Sequence, residues 1–109
     1  MTLEEVRRRC GDAARLYPGY FPETTCLLDP QTRYALLHIA VDLEKPIRAG
    51  LEYFYHKVSP GGAIIVHDYN NVASWGGGAK KAVDCFLSDK PERSIEMPDR
   101  YGSVLIVKG

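Results

Sequence analysis

The amino-acid sequence predicts an α/β fold of parallel strands with crossover helices, ending in an antiparallel hairpin. Three observations predict it. YALLHIAVD, residues 34–42, is a nearly unbroken apolar run, the pattern of a parallel strand buried on both faces. Ile47, Leu51, Phe54 and Val58 then recur at helical spacing, and AIIVHDY, residues 63–69, is a second apolar run. Strand, helix and strand in that order form a right-handed crossover unit whose strands are parallel, with their carboxyl ends on one edge. Asp42 and the pair His67-Asp68 are therefore expected side by side.

Each element has a local reason. Thr2 and Glu5 form a capping box, Leu3, Val6 and Cys10 lie at helical spacing, and Gly11 is a stop signal, so residues 2–10 read as a short helix. AARLYPGYF reads as a short strand leading into the Pro18-Gly19 turn. The helix over 44–58 has Pro46 in its first turn, where a missing N–H costs little. Ser59-Pro60-Gly61-Gly62 breaks that pattern before the second strand. After a loop with Trp75 and three glycines, Ala79, Ala82, Val83 and Phe86 mark the buried face of a second helix, which Pro91 closes. RSIEMP and SVLIVKG, around a turn at Asp99 to Gly102, read as the hairpin.

Composition narrows the function classes. The chain has 109 residues, enough for one core. Fourteen basic residues balance fourteen acidic ones, so no overall field draws it to nucleic acid or an anionic membrane. Arg7, Arg8 and Arg9 point around a helix rather than into one patch. Three scattered cysteines, Cys10, Cys26 and Cys85, suit neither a disulfide framework nor a zinc site and read as reduced thiols of a cytoplasmic protein. No apolar run has the length of a membrane span.

Chemistry is expected at the carboxyl edge of the strands, where open α/β sheets bind ligands. Asp42 and Asp68 can share a hard cation such as magnesium. In the alternative, Asp42 caps the following helix and Asp68 stabilises a turn. Histidine titrates near physiological pH, so His67 is a candidate base or ligand, or a structural residue at a strand end. Tyr69 and Trp75 can stack on a sugar ring. Tyr17, Tyr20 and Phe21, around Pro18-Gly19, either pack on the core or wall a pocket. Gly76-Gly77-Gly78-Ala79-Lys80 departs from the phosphate-loop spacing and reads as a loop over the strand ends.

YPGYFPETTCLL, RYALLHIAVDLEKPIRAGLEYFYHKVSPGGAIIVHDYN and GGAKKAVDCFL resemble consecutive blocks of the macrocin O-methyltransferase family, which methylates sugar hydroxyls of antibiotic and related glycosides. The resemblance implies the C-terminal half of a Rossmann-like class I methyltransferase, residues 1–109 being a single partial domain. It implies S-adenosylmethionine and Mg2+ as cofactors. No cofactor-binding residue is assigned, because no glycine-rich turn follows an N-terminal strand. The family carries an acidic residue where this chain has Ala40, keeps a second at Asp42, and ends the next strand with an Asp-Asp pair that reads His67-Asp68 here. The resemblance thus implies His67 and Asp68 as catalytic and Asp42 and Asp68 as metal-binding, while Tyr69 and Trp75 are candidate substrate-binding residues as rings that can stack on a sugar.

In the family's sheet the 34–42 strand is central. Its open edge is expected to recruit a second copy of the chain or a separate N-terminal half. Two readings follow: an O-methyltransferase piece, inactive alone, in which Asp42 and Asp68 bind metal and His67 helps to deprotonate a sugar hydroxyl; or a non-catalytic half-fold for assembly or small-ligand binding.

Overall fold

A computed structural model describes residues 1–71 and 75–109, the side chain of Trp75 excepted. The chain divides into two compact units, Met1–Pro30 and Gln31–Gly109.

In the first unit, Leu3–Cys10 is a helix (α1) with the anticipated capping box: Glu5 N–H donates to the Thr2 hydroxyl, and the Glu5 carboxylate accepts from Thr2 N–H. Gly11 ends it in a positive-φ conformation, donating to Arg7 C=O. Arg7, Arg8 and Arg9 are exposed. The short strand expected before Pro18 is absent. The chain there bends through Gly19 (φ +142°) and closes into a 3₁₀ turn over Glu23–Leu27, with Thr25 donating to Pro22 C=O. Backbone turns take up the hydrogen bonds a strand would have offered to a neighbour. Tyr20 is 86% exposed, Tyr17 exposed and Phe21 half-buried, so Tyr20 is no core residue.

The second unit carries the sheet. Tyr34–Ile39 (β1) is followed by a helix over Glu44–Phe54 (α2), a 3₁₀ turn over Tyr55–Lys57, a strand over Val58–Val66 (β2), a helix over Gly78–Leu87 (α3), and the strands Ser94–Glu96 (β3) and Val104–Val107 (β4). Strand order is β1-β2-β4-β3, with β1 and β2 parallel and β2–β4 and β3–β4 antiparallel. The parallel crossover unit and the hairpin are both as read from the apolar pattern.

Two boundaries differ. The 44–58 helix stops at Phe54, and Val58 starts β2 rather than closing a helical stripe. Ser59-Pro60-Gly61-Gly62 lies within β2 as an irregularity of register. Tyr34 pairs with Val58 but Leu36 with Ala63. Gly61 N–H donates to Lys108 C=O and Lys108 N–H to Gly62 C=O. A Cβ on Gly62 would lie 2.8 Å from Ser59 O and 2.9 Å from Ala35 O, so only glycine fits that approach.

Register sorts the sheet into two faces. Leu37, Ile39, Ile64, Val66, Val104 and Ile106 share one, and they join Ile47, Leu51, Ala82, Val83 and Phe86 of α2 and α3 in a single core. On the other face Leu36, Ile95 and Val107 are 59%, 54% and 49% exposed. The strand read as buried on both faces is therefore an edge strand with one covered face. The apolar run suits a sheet covered on both faces, but helices of the described residues cover only one side of it.

A buried polar link closes the amino end of β2. The Tyr55 hydroxyl donates to the Glu92 carboxylate, whose other oxygen accepts Gly109 N–H at 2.9 Å. Burial and the Glu92 hydrogen bond push the Tyr55 phenol up to about 12. For Glu92, burial pushes upward, but the hydrogen bonds from Tyr55 and Gly109 outweigh it and hold the carboxyl below its usual range. A carboxyl depressed in the folded state stabilises above its unfolded pKa and loses that contribution as pH falls through the folded one. Glu92→Gln is therefore expected to lower stability near neutral pH by about 1–3 kcal/mol and to flatten the acid limb of a melting-temperature profile.

Candidate functional site

The site forms where β1 and β2 end. His67 N–H donates to Ile39 C=O at 2.9 Å, tying the first residue after β2 to the last of β1. Asp68 follows at φ +59°, a left-handed conformation that a side chain adopts only under restraint. That turn places Asp68 Oδ2 3.3 Å from His67 Nδ1. The His67 ring is half-exposed and meets His38 of β1 edge to face, with 6.1 Å between centroids. Asp68 Oδ1 is buried without a hydrogen-bond partner among the described residues.

Tyr69 turns away from this edge into the core and is 4% exposed. Its hydroxyl donates to Asp84, while Lys80 Nζ donates to it at 3.2 Å and lies over the ring at 4.6 Å. Burial and then the Asp84 hydrogen bond raise the Tyr69 phenol above its ordinary value. Tyr69 thus anchors the loop after β2 to α3, and its ring face is covered by protein. The Trp75 side chain lies outside the described residues; its backbone opens a 3₁₀ turn over Trp75–Gly77.

Asp42 is exposed between β1 and α2. It does not cap α2: the cap position is Leu43, which makes no side-chain capping bond. Of the glycines at the start of α3, Gly77 serves backbone conformation and Gly78 serves packing. Gly77 is left-handed, and a Cβ on Gly78 would sit 2.8 Å from Glu44 N and 3.3 Å from Asp42 O. Gly78→Ala is expected to force α3 off the start of α2, lowering stability by about 1–3 kcal/mol in a denaturant melt.

The turn between β3 and β4 reaches the same edge, which the sequence reading did not anticipate. Asn70 N–H donates to Tyr101 C=O at 2.9 Å. Asp99 accepts from Ser103 N–H and Ser103 Oγ, both at 2.6 Å. The Ser103 hydroxyl and N–H hold the Asp99 carboxyl below its usual range, with His67 adding a smaller electrostatic pull. Asp99 with glycine three residues on was legible as turn chemistry, but its return to the loop after β2 depends on strand order.

Asp68 Oδ1 is the kind of unsatisfied oxygen a hard cation takes. Yet among the described residues no group of three or more His, Cys, Asp or Glu is placed to hold a metal ion. Magnesium needs only one or two carboxylates and keeps several waters, so Asp68 would be the residue to offer it an oxygen here. The clefts along α2 and α3, lined by Lys45, Arg48, Glu52, Cys85 and their neighbours, include neither His67 nor Asp68.

The model of the macrocin-O-methyltransferase (TylF) family matches residues 8–99. The chain belongs to that family. A solved structure of the O-methyltransferase NovP is similar to this member over 98% of its residues, at 30% identity and a TM-score of 0.79. CalS11, a TDP-rhamnose 3′-O-methyltransferase of calicheamicin biosynthesis, is similar over 81%, at 21% identity and a TM-score of 0.60, a likeness of fold. The TylF-family chain spans 45% of the length of NovP and 37% of that of CalS11. A search of curated proteins finds no match. Among the described residues no helix is long and apolar enough to cross a membrane.

Proposed function

We propose that this chain is the acceptor-side half of an S-adenosylmethionine-dependent O-methyltransferase acting on a sugar hydroxyl, with His67 as base and Asp68 as its partner. The observation that carries the reading is the approach of His67 Nδ1 to Asp68 Oδ2, 3.3 Å, at the carboxyl edge of two parallel strands. Asp68 favours the ring tautomer with its proton on Nδ1, leaving the Nε2 lone pair to accept the proton of a bound hydroxyl. The cofactor, when bound, supplies an electrophilic methyl group, and the deprotonated oxygen is the better nucleophile. The family match, and a relative whose substrate is a TDP-linked rhamnose, support a glycoside acceptor.

The cofactor-binding surface then comes from outside the described residues, from a second copy of the chain or an N-terminal half meeting the free edge of β1. Three exposed, unpaired cysteines fit work in the reducing cytoplasm. Titration calorimetry of the chain with S-adenosylmethionine tests the reading. Micromolar binding would mean that an assembly of this chain completes a cofactor site. No binding at millimolar ligand would confine the isolated chain to the acceptor side. The second reading, a non-catalytic half-fold, is favoured by Ala40 standing where the family carries an acidic residue. Methyl transfer to a sugar by any assembly containing the chain would refute it.

A further inference from the structure

We infer that the turn between β3 and β4, Asp99–Ser103, is a clamp that positions the His67-Asp68 pair, with Gly102 and Asp99 as its positioning residues. The inference rests on the reading of His67-Asp68 as the chemical pair. Its structural content stands apart from any activity.

Asp68 supplies the reason a clamp is needed. Aspartate enters the left-handed region more readily than most residues, yet one fixed left-handed conformation persists where its surroundings determine it. Three restraints bracket it. His67 N–H is held by Ile39 C=O ahead of it, Asn71 N–H closes a turn onto Asp68 C=O at 3.1 Å, and Tyr69 is anchored by Asp84 and Lys80. The turn closed by Asn71 contains Asn70, and the hairpin turn adds a hold on it from outside the loop, through Tyr101 C=O.

The clamp is itself stiff. Both Asp99 carboxylate oxygens are taken by Ser103, which is 3% exposed; Gly102 N–H donates to Asp99 C=O, and Met97 N–H to Ser103 C=O. Gly102 is left-handed at φ +61°, and a Cβ there would fall 2.5 Å from Asn70 Nδ2 and 2.9 Å from Asn70 Cβ. Glycine is required at this position both by backbone conformation and by the side chain it presses against. The His67 ring has the Asp68 carboxylate on its own loop, and the turn that Asp99 stiffens holds that loop through Asn70.

The test is long-range ¹H–¹⁵N spectroscopy of the histidine rings in the full 109-residue chain, in basic solution where the rings are neutral. It compares Gly102→Ala, Asp99→Asn and, as a control remote from the edge, Glu92→Gln, each with a thermal melt. Gly102→Ala is expected to shift the amides of Asp68 and Asn70 and to lose the single Nδ1–H pattern of His67. Asp99→Asn is expected to move the His67 ring resonances while the chain stays folded, whereas Glu92→Gln lowers the melting temperature and leaves His67 unmoved. Unchanged His67 and Asp68 resonances in both folded clamp variants would overturn the inference, as would equal shifts in the control. If Gly102→Ala fails to fold, Asp99→Asn decides alone. Should the clamp hold while a His67 variant retains full methyl transfer, the functional reading fails and the clamp does not.

Discussion

Leu51→Ala is expected to destabilise the chain by about 2–5 kcal/mol, the cost of removing a fully buried leucine from a packed site. Leu51 has no exposed surface. It lies on the inner face of α2 within the core that joins Ile64, Val66, Val83 and Ile106. Domains of this size are stable by only about 5–15 kcal/mol, so the loss is a large part of the whole. Urea unfolding followed by circular dichroism measures it. The contrast is Leu36→Ala on the opposite sheet face, where the side chain is 59% exposed and the expected change is within about 0.5 kcal/mol. Equal losses at the two positions would mean that the face carrying Leu36 is covered in solution, and that a second layer had formed there.

The contrast between Leu51 and Leu36 also marks how far the amino-acid pattern could be read. Helical spacing at Ile47 and Leu51 and at Ala79, Ala82, Val83 and Phe86 identified residues that are buried. The apolar runs identified two parallel strands. The pattern could not say that one face of β1 is left uncovered, because composition records what a strand is built to be covered by, not what covers it. Ser59-Pro60-Gly61-Gly62 looked like an interruption since proline and glycine usually end a strand. Here Gly61 and Gly62 pair with Lys108, far away in sequence, while Pro60 has no N–H that needs an acceptor.

The site was legible in part for the same reason. His67 and Asp68 were visible as polar residues ending an apolar strand, and strand order does bring the His67 backbone onto Ile39. Tyr69 looked like an aromatic at a ligand edge, but strand alternation beyond Val66 is broken by the left-handed Asp68, and the ring turns under α3 to meet Asp84. Asp99, Tyr101, Gly102 and Ser103 were readable only as a turn. Their approach to Asn70 follows from β4 lying beside β2, which no local pattern encodes.

The largest expected effect on activity is at His67. In an assembly that transfers methyl groups, His67→Gln is expected to lower kcat by about 10²–10⁴-fold, the usual contribution of a positioned general base. Glutamine keeps the bulk and a hydrogen bond toward Asp68 Oδ2 but cannot accept the hydroxyl proton. A fall in kcat with little change in KM for the sugar would therefore assign proton removal rather than binding. Asp68→Asn should reproduce much of the loss by releasing the ring from the Nδ1–H tautomer, and the double variant should be little worse than His67→Gln, because the two act as one unit. Transfer of a labelled methyl from S-adenosylmethionine to the glycoside measures all three. Independent, multiplying losses would break the pair apart and leave Asp68, with its buried unpartnered Oδ1, doing separate work. His67→Asp adds a further discrimination, since it restores the acidic pair of the family that the resemblance implies. Activity equal to the parent would mean that any base at this position suffices, whereas a loss as deep as that of His67→Gln would mean that the geometry around Asp68 has adapted to an imidazole.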